Sequence, residues 1–260
     1  CSSSKIKPYL KYKDTDVYGL SFPKNDVENP IWIDWNKGIE QAPIIVQKCY
    51  ESVCKHSNQK IILLNDQNLA DYIRLPDYIE KKKDAGQIPM AGYADLMRFA
   101  LLEHYGGTWI DSTVYLTDPI PDMILNSDFF AVRNSLLLID NPVLYPAWFL
   151  HAKKGNKTIR EIRNVAFSYW LKNEHVIEYL LPNLIITLVV KSNPEVEKEI
   201  PYMNSDYSEY LVKVLADDYS EEKWNWIKKL TGIHKLTYKL DADIKHGHNF
   251  YDYLITSSDE

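Results

Sequence analysis

The run MAGYADLMRFALLEHYGGTWIDSTV, from Met90 to Val114, constrains the fold more than any other stretch of the chain. It sets a helical pattern directly against an extended one, with two adjacent glycines between them, in a protein that has only 9 glycines in 260 residues. Leu96, Phe99 and Ala100 recur at helical spacing, with Glu103 and His104 opposite, which predicts an amphipathic helix of about three turns. Gly106 and Gly107 should end it. A left-handed C-cap favours a residue without Cβ, and a second glycine lets the chain turn straight into the strand TWID.

Upstream, Pro30 and IWIDW read as a strand, Gly38 and Pro43 open a helix with Ile45, Cys49 and Val53 on one face, and KIILLN reads as a second strand. An Asn65-Asp66 turn closes that strand. Strand, helix, strand over about thirty residues begins an α/β sheet with right-handed crossovers. Beyond TWID, STVYLTDPIP reads as an edge-like strand and turn, and DFFAV as a further strand. From about Thr158 the pattern is mainly helical, through an apolar block to Val190 and KWNWIKKL.

At 45% hydrophobic the chain can bury a full core without staples. The divisions expected are an arm over residues 1–29, a core over 30–240 that turns mainly helical after about 135, and a tail over 241–260. Cys49 and Cys54 fall on one helix and no cysteine has metal-ligand spacing, so a reducing compartment is the simpler inference. A lipid-modified Cys1 is the alternative reading of the first residue. Thirty basic against 36 acidic side chains give a net charge of −6, which excludes the global basic field of a duplex nucleic-acid binder. LIITLVV, Leu184 to Val190, is too short to cross a bilayer, which leaves a soluble or peripheral protein. No G-x-G-x-x-G follows either early strand, against a dinucleotide-dependent oxidoreductase.

The chemistry-bearing residues cluster around the same run. Asp95 and Arg98 stand three apart on one helix face, and Asp111 ends the strand that should lie beside them. In open α/β sheets ligands bind at the carboxyl ends of the strands. The competing reading is a surface ion pair of little energetic weight. An otherwise apolar helix feeding a glycine hinge and a strand-end carboxylate favours a site.

The run A-x-x-A-D-L-M-R-F-A-L-L-x-x-Y-G-G-T-W-I-D-S-T-V resembles the donor-site core of the capsular polysaccharide synthesis proteins, relatives of the glycosyltransferases with a DXD sugar-binding region, similar to family GT32. IWIDWNKGIEQAPIIVQKC, YPAWFLHAKKGN and IHKLTYK extend the resemblance over most of residues 30 to 240. It implies a GT-A type, Rossmann-like mixed sheet flanked by helices, with a nucleotide-sugar half over about 30–135 and a mainly helical acceptor half over about 136–240.

It also implies that Asp95 and Arg98 hold donor-sugar hydroxyls, and that Asp111 lies beside ribose and diphosphate, directly or through Mn²⁺ or Mg²⁺. Trp32 or Trp35 would face the nucleobase, although a first-strand Trp is more often core. The second carboxylate of a DXD is replaced by Thr113, a D-[AS]-T variant that suits the capsular branch. Such a site would hold a hard cation through one carboxylate, diphosphate oxygens and water. His234 and Lys235 are candidates to approach the leaving diphosphate, and Glu178 is a candidate acceptor-side carboxylate, or a solvated helix charge. His246 and His248 lack a second pair for a metal cage.

The implied activity is transfer of a hexose, with retention, from UDP-galactose or UDP-glucose to a lipid-linked glycan at the cytoplasmic membrane face of a bacterium. A non-catalytic carbohydrate-binding or assembly subunit is the alternative. EEKWNWIKKL, with Trp224, Ile227 and Thr231 on one side, is either an interfacial helix or an ordinary amphipathic one.

Overall fold

The computed structural model describes residues 2–257. Cys1, and with it any lipid modification there, lies outside the described residues. Seven strands form: β1 Ile31–Asp34, β2 Ile61–Leu64, β3 Gly107–Ile110, β4 Val114–Leu116, β5 Phe129–Ala131, β6 Phe149–Ala152 and β7 Ile233–Lys235. The helices of seven or more residues are α1 Ile44–Lys55, α2 Asp77–Asp84, α3 Met90–Tyr105, α4 Lys157–Lys172, α5 Leu181–Lys191, α6 Glu221–Leu230 and α7 Phe250–Thr256.

Five strands make one mixed sheet in the order β2-β1-β3-β6-β5. The β2–β1–β3 portion is parallel, as the strand, helix, strand pattern requires, while β6 joins β3 and β5 antiparallel. β4 is not an edge of this sheet. It pairs antiparallel with β7, more than a hundred residues away in sequence, in a separate two-stranded ribbon.

Alternation in β1 and β3 sends their side chains to two cores. Trp32 and Trp109 face a cluster built from α3, α4 and α5, whereas Ile31, Ile33 and Ile110 face one shared with β4 and β7. A third cluster joins α1, α6 and α7 through Ile45, Cys49, Ile227 and Phe250. Each fully buried side chain of this kind contributes roughly 1.5–3 kcal/mol relative to exposure. Trp224 and Ile227 are consumed in the third cluster, so the apolar side of α6 is an ordinary packed face. The segment before β1 lies on the core too: Ile6 is buried, and Lys13 accepts a 2.8 Å hydrogen bond from the Asn164 side chain on α4.

α3 is longer than expected, 16 residues, and is buried almost all round rather than along one stripe. Its outer side is covered by α4, where Glu103 pairs with Arg160 at 3.1 Å and Arg163 at 2.9 Å. The glycine pair ends it, as backbone sterics demand, with φ of 71° at Gly106 and 107° at Gly107. The Gly106 geometry differs from a left-handed cap, since its ψ of −173° is extended. The tight element is instead the crossing over Asn29 and Pro30. Asn29 N donates to Tyr105 O at 3.0 Å and Thr108 N to Pro30 O at 2.9 Å.

Candidate functional site

β1 ends in Trp-Ile-Asp and β3 in Trp-Ile with Asp111 directly after it, and their register pairs Trp32 with Trp109. Asp34 and Asp111 therefore leave the carboxyl ends of neighbouring parallel strands, where the sheet opens. α3 runs into β3 and carries Asp95 and Arg98 to the same point. The Arg98 guanidinium holds the group together: it lies 3.1 Å from Asp95 Oδ1 and 3.0 Å from Asp111 Oδ1, and donates to Ala147 O at 2.6 Å. It also stacks on Trp109, 4.7 Å from the ring centroid, while Trp109 Nε1 donates to Asp111 Oδ1 at 3.1 Å.

Two cavities meet on this group, both lined by Ala91, Arg98 and Asp111. One, of about 480 Å³, is open, with Asp34, Trp35, Lys37, Ser112 and Tyr238 on its walls. The other, of about 250 Å³, is largely apolar, with Asp95, Trp148, Trp170, Tyr179, Leu180 and Asn183 among its lining. A wider groove thus adjoins a smaller hollow across a single guanidinium.

Burial lifts the carboxyls here. Asp95 is raised to about 7 because desolvation outweighs the Arg98 charge, with Asp111 adding to the rise, and Asp34 is raised to about 6, mainly by burial. Each folded-state value exceeds the unfolded one, so the stability tied to the bound proton is full below about pH 4 and is lost as pH rises through 6 to 7. Urea titrations at pH 5 and pH 8 should therefore find the wild type weaker at pH 8, and Asp95→Asn should shrink that difference. An unchanged difference would remove Asp95 from the account.

The other sequence candidates separate cleanly. Trp32 offers no face to a base: it is fully buried, and its Nε1 donates to Gly106 O at 3.2 Å. Trp35 reaches the open cavity, edge-on to Tyr238 with ring centroids 5.5 Å apart. His234 is likewise buried, 2.9 Å from Thr117 Oγ1, and burial pushes it down to about 4. It is neutral at pH 7 and supplies no charge to a diphosphate. Lys235 Nζ donates to Thr113 Oγ1 at 2.7 Å, bracing the turn after Asp111. Glu178 lies in the loop before α5, not on a helix, and its neighbours Tyr179 and Leu180, rather than Glu178 itself, line the apolar cavity.

Three lining residues were missed: Asp34, whose signal was the repeated Trp-Ile-Asp, and Lys37 and Tyr238, which stand in the IWIDWNKG and IHKLTYK runs that carry the resemblance. Among the described residues no three His, Cys, Asp or Glu side chains are grouped to hold a metal ion. Asp111 Oδ1 already accepts from Arg98 and Trp109, and Thr113 Oγ1 from Lys235. A divalent cation would find the second Asp111 oxygen, so its remaining ligands have to be diphosphate oxygens and water.

A family profile described as capsular polysaccharide synthesis protein matches residues 2–254. The chain belongs to that family. Membership accords with the resemblance carried by the α3–β3 run, and it assigns the protein to capsular polysaccharide synthesis. No curated protein matches the chain. Among solved structures, the PaToxG glycosyltransferase is similar over 76% of this chain and 80% of its own, at 12% identity and a TM-score of 0.45. The bifunctional glycosyltransferase WbbM, in its apo form, is similar over 91% of this chain at 13% identity and a TM-score of 0.49. This family member spans about half of WbbM, 51% of that chain. Among the described residues, no helix is long and apolar enough to cross a membrane.

Proposed function

We propose that the protein is a GT-A type glycosyltransferase that moves a hexose from a UDP-sugar to a glycan hydroxyl in capsule synthesis, with retention. The observation that carries the reading is Arg98, bridging Asp95 and Asp111 where the two cavities meet. Uridine would lie in the open cavity against Trp35 and Tyr238, with the diphosphate towards Lys37 and Ser112. The sugar would sit over Asp95 and Arg98, its anomeric carbon near Asp111.

Cleavage of the anomeric C–O bond leaves positive charge on the ring and negative charge on the departing UDP, as in other oxocarbenium-like reactions. Arg98 and Lys37 answer the negative charge, and the carboxylates face the positive ring. Bound Mn²⁺ or Mg²⁺ would add Lewis-acid neutralisation of the diphosphate at Asp111. Arg98 is anchored through two carboxylates, a backbone carbonyl and an indole, so little reorganisation is required as charge develops.

The test is donor turnover. With Mn²⁺ present, UDP-galactose or UDP-glucose should be hydrolysed slowly without acceptor, and Asp111→Asn should lower the rate by about 10²–10³, the scale of losing one electrostatic stabiliser. The engagement of the Thr113 hydroxyl by Lys235 favours a second reading, a subunit that binds carbohydrate without chemistry. That reading prevails if neither nucleotide binding nor turnover is found with or without metal.

A further inference from the structure

Leu136, Leu137, Leu138 and Ile139 follow one another at 59, 85, 53 and 88% exposure. A folded surface seldom leaves four consecutive large aliphatic side chains uncovered unless they meet something. The loop that carries them is an ordered set of turns. Its neck is closed by Asn134 N to Leu144 O at 2.7 Å and Asn134 Nδ2 to Val143 O at 3.1 Å, and Ser135 Oγ donates to Asp206 at 3.0 Å. A second loop, residues 173–180 between α4 and α5, exposes Val176, Ile177, Tyr179 and Leu180.

Both loops are tied to α5. Leu144 N and Tyr145 N donate to Thr187 Oγ1 at 3.1 and 3.2 Å, and Ala147 N to Asn183 Oδ1 at 3.0 Å, while the second loop runs directly into Leu181. At 1.5 Å per residue these anchorages are within about 9 Å along one helix. The first loop returns to the core through Pro146 and Ala147, which line the apolar cavity, and Val176, Tyr179 and Leu180 of the second loop line it too. The return from the first loop and the second loop itself therefore both contribute to the wall of the hollow that contains Asp95.

We propose that residues 135–143 and 173–180 dock the molecule on a lipid bilayer, with Leu136–Ile139 inserted at the interface and the cavity opening onto the membrane surface. The chemistry favours lipid over protein. A protein interface needs about 800 Å² from each partner, in complementary relief, whereas a single short wedge of aliphatic groups fits an acyl layer of any shape. Tyr179, the most exposed of the large hydrophobic residues of the second loop at 79%, has the amphipathic ring that sits well at headgroup depth. Besides the Tyr179 phenol, the titratable groups in the two loops are Asp140, Glu174, His175 and Glu178, with no Lys or Arg. Attraction to anionic headgroups is therefore not the driving term, and insertion into neutral lipid is. The inference rests on the glycosyltransferase reading only in treating the cavity as the reaction site, which would then receive an acceptor carried in the bilayer.

Co-sedimentation of the full chain with phosphatidylcholine vesicles tests it, at low and high salt, beside the double variant Leu137→Ser, Ile139→Ser. The wild type should pellet with neutral vesicles at both salt levels. The variant, keeping the wild-type melting temperature, should bind at least about tenfold more weakly, because losing an aliphatic side chain removes partitioning of that order. Failure to pellet, binding that needs anionic lipid and vanishes in salt, or equal binding by the variant would each overturn the proposal. So would a concentration-dependent dimer that the double substitution dissolves. UDP binding, read by thermal shift on the same preparations, separates the two levels: a protein that binds UDP but no vesicles overturns this inference alone, and one that binds neither overturns the reading of the site as well.

Discussion

Arg98→Met is expected to cost about 3–5 kcal/mol of folding stability at pH 8, because it strands two carboxylates that a buried guanidinium now compensates. Only 9% of the Arg98 side chain is accessible, and its ion pairs with Asp95 and Asp111 are close, so solvent does little to screen the loss. The deficit has a pH signature. Without Arg98 the Asp95 carboxyl, already raised to about 7 by burial, titrates higher still. At pH 5 it carries its proton in the variant and the stranded charge disappears, so the gap between variant and wild type should narrow as pH falls. Urea denaturation at the two pH values measures this. A gap of equal size at both would mean that Arg98 acts through packing on Trp109 and not through charge. Turnover of a UDP-sugar, if the proposed reaction is correct, should be lost at every pH, since the guanidinium touches both carboxylates of the site.

The parts of this site that were legible in the sequence were those whose partners are near in the chain. Asp95 and Arg98 are one helical turn apart, and Gly106 and Gly107 tie their helix to Asp111 within a few residues, so spacing alone placed three side chains together. Residues whose position depends on distant pairing were not legible. β6 and β7 are each four residues or fewer, and each is a strand only because β3 with β5, or β4, lies alongside. Tyr238 follows β7, so although IHKLTYK stood out as a run, its arrival beside Trp35 depends on the same distant pairing. Trp32 and Trp35 look alike as letters, yet alternation along β1 buries one and the strand's end frees the other. Taken alone, the Asp95 and Arg98 spacing also fits a surface pair, because a helix pattern records its own faces and not the Trp109 indole and Ala147 carbonyl that enclose the guanidinium. Burial is what turns an ordinary i,i+3 pair into a charged cluster with a raised carboxyl at Asp95.

Gly107→Ala is expected to abolish folding to a soluble protein, and Gly247→Ala to be tolerated, although both glycines have positive φ, 107° and 93°. A Cβ at Gly247 would meet open space, which leaves only the backbone strain of a non-glycine residue in that region, about 1–3 kcal/mol. At Gly107 the same atom would fall on the Pro30 carbonyl oxygen and 2.9 Å from the Asn29 carbonyl carbon. These are backbone atoms that cannot retreat. Pro30 O accepts the 2.9 Å bond from Thr108 N that starts the β1–β3 pairing, and Asn29 N is held by Tyr105 O at 3.0 Å. Relieving the overlap means separating β1 from β3, the two strands that carry Asp34 and Asp111 to the site. The combined cost should exceed about 4 kcal/mol, a large part of the 5–15 kcal/mol that holds a typical domain together. Soluble yield and melting temperature of the two variants decide it. Should Gly107→Ala melt within a few degrees of Gly247→Ala, the crossing over Pro30 is looser than the hydrogen bonds imply, and the alignment of the two strand-end aspartates must be fixed by something other than the glycine pair.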